Sequence, residues 1–339
     1  MKVSSLGVSA LTTLNSPNDG YCAFAFTTPT GTCGLLTYNG GSVENQGQVQ
    51  IILDYWAGPG WAGCNTGLFD SPTLDPTAVT PSDCQFMSLV DQYVVDMCAD
   101  TVYTNLLQQY LFESIFEALC TKYVPTISGV TNSFIDIRAF PELPLSDGDI
   151  QNEANAADTF EGFSSNGYNT LVVVLLPFNV GECQSGSNCF PTGNFCAYHQ
   201  STGSSLGSEI QYAVMPDVAD AGSGCINASS SPHSDQWADA EINILSHEQQ
   251  ESMTDPDGSA WNCSSSCTGA GSGAEIGDEC NFDFIGTEPD GSTTLLAPLG
   301  AYRLQAEWSN FNGGCTRDEA GAPIQVTESI KQDTSTGTT

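Results

Sequence analysis

Apolar residues recur along the chain with two different periods. Between Cys84 and Phe116 the spacing is helical, with Leu89, Val90, Tyr93, Val94 and Met97 falling three and four apart. This predicts one helix from Cys84 and a second over Tyr103–Phe116. A third helix is predicted from Ser146, a plausible N-cap, to about Ala157. A fourth covers Trp237–Thr254 and stops at Asp255-Pro256. Three unbroken apolar runs read instead as buried strands: Gln48–Trp56, closed by a Gly-Pro-Gly turn, Leu171–Leu176, closed by Pro177, and Ile210–Met215. Val124–Arg138 reads as strand and turn, with the turn at Ser128-Gly129. The Cys- and Gly-rich stretch through Cys183, Cys189 and Cys196 reads as loop, as does the one holding Cys225 and His233. Helices and strands interleave without internal repeat. The expected class is therefore α/β, or α+β, with a mixed sheet. A single domain is expected over 35–326, preceded by loops in 1–34 and followed by a disordered polar tail in 327–339.

Composition narrows the setting. Hydrophobic residues make up 40% of the 339, enough for a sizeable core. Forty acidic residues face six basic ones, for a net charge of -34. Such a surface repels phosphate backbones and anionic membranes, which excludes nucleic acid as a partner. The imbalance fits an acidic medium, and it equally fits resistance to proteases that cut at Lys or Arg. No stretch approaches the roughly 18 apolar residues of a membrane span.

The 14 cysteines run from Cys22 to Cys315. An even, dispersed set implies a disulfide framework of up to about seven bonds and an oxidising, extracellular compartment. The tight pair Cys263 and Cys267 has no matching pair of the zinc-ribbon kind. Asn227-Ala-Ser229 and Asn262-Cys-Ser264 are glycosylation sequons. Residues 1–14 hold an apolar run interrupted by Ser and Thr, less continuous than a leader peptide requires.

Candidate chemistry concentrates in His247-Glu248-Gln249-Gln250-Glu251. Residues four apart share a helix face, so His247 and Glu251 can ligate one metal ion. Glu248 follows His247 directly and can take a proton from a water activated at that ion. This is the logic of His-Glu-x-x-His zinc peptidases with the second His replaced by Glu. With three histidines and 40 acids, such spacing arises by chance about 0.04 times. The competing reading is an exposed polar helix face that happens to hold a histidine.

A third ligand is needed, and Asp278 is preferred because Cys280 can pin its loop; Glu275 comes second. His199 and His233 are upstream alternatives, His199 reading equally as a packed residue near Cys196. Asp255-Pro256-Asp257-Gly258 reads as a helix stop and turn. Two carboxylate ligands make a hard site, so manganese and calcium stay open beside zinc.

The order of these landmarks resembles microbial relatives of the EXORDIUM/phosphate-induced protein family. The resembling segments are Tyr38-Asn-Gly-Gly41, the strand ending in Trp56, and Phe195-Cys196-Ala-Tyr-His199, in which Ala197 replaces a family glycine. They continue with His247-Glu248-x-x-Glu251-x-x-Thr254-Asp255-Pro256, Ala260-Trp261, Glu275-Ile-Gly-Asp278-x-Cys280 and Gln305-Ala-Glu-Trp308-Ser309-Asn310 with Cys315. The resemblance spans roughly residues 35–317. It implies a secreted or cell-wall-associated protein and, for the microbial branch, a metallopeptidase acting on peptide or protein. A non-catalytic matrix protein with a structural or relic metal site is the alternative. The many cysteines and scarce basic residues depart from the family pattern.

Overall fold

The computed structural model describes residues 35–43, 50–69, 82–99, 106–110, 134–161, 170–193, 195–202, 209–226, 232–263, 273–282, 302–310 and 314–316. The expected N-terminal loops, the Ser128-Gly129 turn, the sequon at Asn227 and the polar tail lie outside these residues.

The centre is a five-stranded mixed sheet. Its strands, in chain order, are β1 (Gln50–Trp56), β2 (Phe134–Asp136), β3 (Thr170–Leu175), β4 (Tyr198–Ser201) and β5 (Gln211–Met215). In space the order is β2-β1-β3-β5-β4. The first four neighbours run parallel, and β4 closes one edge antiparallel to β5. Parallel strands covered on both faces need apolar side chains on both, which is why β1, β3 and β5 read as unbroken runs.

Helices cover each face. α1 (Asp83–Ala99) and α3 (Gln236–Thr254) lie on one side. There Val90, Tyr93, Val94 and Met97 of α1 and Ile242, Leu245 and Met253 of α3 pack with Leu53, Tyr55, Val173 and Ala213. α2 (Asp147–Glu161) covers the other face, packing Ile150, Ala154 and Ala157 on Ile52, Val172, Val174 and Val214. Its start is a reciprocal cap: Ser146 Oγ accepts from the Asp149 amide at 3.3 Å, and Asp149 accepts from the Ser146 amide at 2.9 Å. Between β2 and α2, Arg138 donates to both oxygens of Glu153 at 2.7 Å and also to Asp136. Beside them sits the fully buried Asp54, its pKa pushed well up by burial and by Glu153.

One expectation is described only in part, and one is corrected. Within the predicted helix Tyr103–Phe116, the described residues form a single 3-10 turn, Leu106–Gln109, and the rest lies outside them. The presumed Cys-rich loop contains a small hairpin, Glu182–Ser185 with Asn188–Cys189, and then edge strand β4. Four disulfides join described cysteines: Cys64–Cys84, Cys183–Cys189, Cys196–Cys225 and Cys280–Cys315. No helix among the described residues is long and apolar enough to cross a membrane.

Candidate metal centre

Helix α3 carries the site. Asp235 caps its start by accepting from the Ala238 amide, and the Asp255 amide closes its end on the Glu251 carbonyl. Nearly every residue of α3 is buried, the polar ones included. Ser246, Ser252 and Thr254 are satisfied by donating back to carbonyls of the same helix. The face bearing Glu248 and Glu251 is therefore not a solvated polar stripe; these residues are 4% and 5% exposed.

His247 Nε2 lies 3.1 Å from Glu251 Oε1 and 3.7 Å from Asp278 Oδ1. These three side chains offer ligand atoms that all fall within 4.8 Å of one another. Donors about 2.0–2.3 Å from one ion spread over a similar span, so the set fits a single cation. The Asp278 amide donates to Glu251 Oε1 at 3.1 Å and holds that carboxylate. Behind the ring, Gln305 Nε2 lies 3.0 Å from His247 Nδ1 and donates to the Gly277 carbonyl at 3.0 Å. A Cβ on Gly277 would sit 2.7 Å from Nδ1, so the ring requires glycine there although the backbone does not. The loop bearing Asp278 is tied by the Cys280–Cys315 disulfide and by the Trp308 amide on the Ile276 carbonyl.

Edge strand β4 brings a second histidine. Strand alternation turns His199 toward the α3 face of the sheet, opposite Ala213, and turns Tyr198 to the other face. His199 Nδ1 lies 3.3 Å from Glu248 Oε2 and 3.6 Å from Glu251 Oε2. Its Nε2 lies 3.1 Å from the Asp255 carbonyl and 3.5 Å from Glu275 Oε2. His199, Glu248 and Glu251 form a second ligand-capable set. The Cys196–Cys225 disulfide anchors the approach to β4. Tyr198 hydroxyl contacts Glu182 at 2.6 Å and Asp147 at 2.9 Å, and Tyr212 hydroxyl donates to Asp147 at 2.6 Å.

The electrostatics are one-sided. Among the described residues, the ion pairs of Glu248, Glu251, Glu275 and Asp278 are all with His199 and His247. Burial pulls the His199 pKa down, but Glu248 and Glu251 more than reverse this and push it up to about 9. His247 is likewise held well above its ordinary value, Glu251 overcoming burial. Burial and Glu251 raise Asp278 to about 6 and Glu275 well above the usual carboxylate range. Protons gather here because the carboxylates outnumber the cations.

Of the residues singled out by sequence, the structure brings together His247, Glu248, Glu251, Asp278 and Glu275. His199, weighed both as an alternative ligand and as a packed residue near Cys196, is in the same cluster. His233 is elsewhere, its Nδ1 2.5 Å from Asp239 at the start of α3. Asp255 and the following residues form the helix stop and turn, with the Asp255 carboxylate accepting from Ala260 and Asn262. The signal for His199 was local and faint, a histidine three residues beyond Cys196.

Two cavities, about 380 and 350 Å³, share Phe195, Ala197, His247, Glu248 and Asp278 as lining residues. No protein-family model, no curated protein and no solved structure matches this chain.

Proposed function

We propose that this chain is a secreted metal-dependent peptidase in which His247, Glu251 and Asp278 hold zinc and Glu248 is the general base. One observation carries the reading: two imidazoles and four carboxylates converge in a cleft, and those carboxylates find no Lys or Arg partner among the described residues. Such a cluster calls for a cation. Zinc at such a site supplies Lewis acidity, polarising a carbonyl and acidifying water.

The chain's own groups do the rest. Glu248 faces both cavities and accepts a proton from the attacking water. His199 hydrogen-bonds Glu248 and fixes where that carboxylate points. Among the described residues, strand β4 has a strand partner on one side only, so an extended peptide can pair along its outer edge beside His199. The two cavities then receive residues on either side of the bond to be cut. The disulfides and the scarcity of Lys and Arg support an extracellular setting.

The test is metal content by mass spectrometry, followed by hydrolysis of a quenched peptide library. Wild type should carry zinc and His247→Ala should lose it. Glu248→Gln should keep the metal and cut turnover by about 10²–10⁴-fold. Absence of metal after zinc is supplied would reassign the chain as a non-catalytic matrix protein.

A further inference from the structure

We propose that the cluster is a two-ion site: a second zinc ion binds between His199, Glu248 and the outer oxygen of Glu251, and it shuts down hydrolysis by capturing Glu248. The inference rests on the function proposed above, with the His247 set filling first.

Three observations point to it. The ligand-capable atoms fall into two sets, each with its own histidine, and the sets share Glu251. Glu251 is placed as a bridge: Oε1 faces His247 Nε2 at 3.1 Å, and Oε2 faces His199 Nδ1 at 3.6 Å. A bridging carboxylate suits two ions about 3.5–4 Å apart.

The second observation is the tautomer of His199. Its Nε2 lies 3.1 Å from the Asp255 carbonyl, which can only accept, so Nε2 carries the hydrogen. In the neutral ring Nδ1 is then a bare lone pair aimed between Glu248 and Glu251. That arrangement is repulsive unless a cation sits in it, either a proton or a metal. A backbone carbonyl fixing the far nitrogen is how metal-ligating histidines are commonly oriented.

The third observation is charge. Four carboxylates, Glu248, Glu251, Glu275 and Asp278, surround two imidazoles. With all four ionised and both rings neutral, one dication leaves this buried group two charges negative, and two dications balance it. Glu275 Oε2 is buried without a hydrogen-bond partner and lies 3.5 Å from His199 Nε2.

The two uses of Glu248 exclude each other. A carboxylate bound to an ion cannot accept the proton of the attacking water. Repulsion between two dications sharing one carboxylate makes the second bind at least about tenfold more weakly than the first. Peptide hydrolysis should rise with the first equivalent of zinc and fall with the second.

The experiment is zinc titration of the metal-stripped, disulfide-intact protein by calorimetry. Bound zinc is counted by mass spectrometry, and X-ray absorption is recorded on the saturated form. Two zinc ions per wild-type chain, a zinc–zinc distance of about 3.5–4 Å, and one zinc in His199→Ala are expected. One zinc per wild-type chain at saturation overturns the second site and leaves the peptidase reading standing. Zero zinc sinks both. Two zinc ions that His199→Ala leaves in place, or that lie much farther apart, also overturn it. If His199→Ala fails to fold, the wild-type count and distance still decide.

Discussion

Glu182 gives a sharp test of how this protein keeps buried carboxyls. The side chain is fully buried, and its Oε1 lies 2.6 Å from the Tyr198 hydroxyl, which also contacts Asp147 at 2.9 Å. One hydroxyl has one hydrogen, yet two carboxyls approach it. Asp147 already accepts from Tyr212 and Gln151, so Tyr198 donates to Asp147 and Glu182 brings its own proton. Burial, with Asp147 nearby, accordingly pushes Glu182 up to about 7, the Tyr198 contact notwithstanding. The sign follows. An acid whose pKa is raised on folding contributes stability that is full below its unfolded value, near 4.5, and lost as pH rises through about 7. Holding the carboxylate ionised would cost about 3 kcal/mol in a rigid, dry site. Relaxation and water access cut this to about 1–2 kcal/mol. Glu182→Gln keeps the donor and removes the titration. In urea unfolding with disulfides intact, it should match wild type at pH 4. At pH 8.5 it should be more stable by about 1–2 kcal/mol. Equal destabilisation at both pH values would refute the assignment, because it would mean that Glu182 accepts from Tyr198 as a carboxylate.

Other perturbations address other parts. Gly277→Ala should displace the His247 ring and weaken zinc binding at least about tenfold while leaving the unfolding midpoint of the zinc-free protein nearly unchanged, as read by competition with a chelating dye. Replacing Cys280 and Cys315 with Ser opens a loop of sequence separation 35 and should cost about 3–4 kcal/mol in denaturant unfolding. Arg138→Gln leaves Asp54, Asp136 and Glu153 without their cation. Glu153 sits at about 7, raised by burial and by Asp136, so melting should fall more at pH 8 than at pH 4.

Much of the scaffold was legible because it depends on local periodicity. β1, β3 and β5 announce themselves as apolar runs, since both faces are covered, and α3 by its length and its stop at Asp255-Pro256. His247 and Glu251 were legible because four residues along a helix is a contact written into the chain itself. Asp278 was reachable only through its neighbour Cys280. β4 was not legible: four residues, Tyr-His-Gln-Ser, inside a Cys- and Gly-rich stretch carry no strand signal, and their pairing with β5 is a tertiary event. His199 could therefore be named only as an alternative ligand, with no element to place it. Gly277 was equally silent, because its φ of −78° suits any residue and only the His247 ring demands the missing Cβ.

The two segments that deliver ligands from outside α3 are each leashed. His199 stands three residues after Cys196, and Asp278 two before Cys280. Under the proposed function, a chain robbed of its ion by a chelating environment keeps both arms near the helix. The stripped protein would then be a dormant form, revived by resupply. Reducing agents, which cut the leashes, would end the site for good.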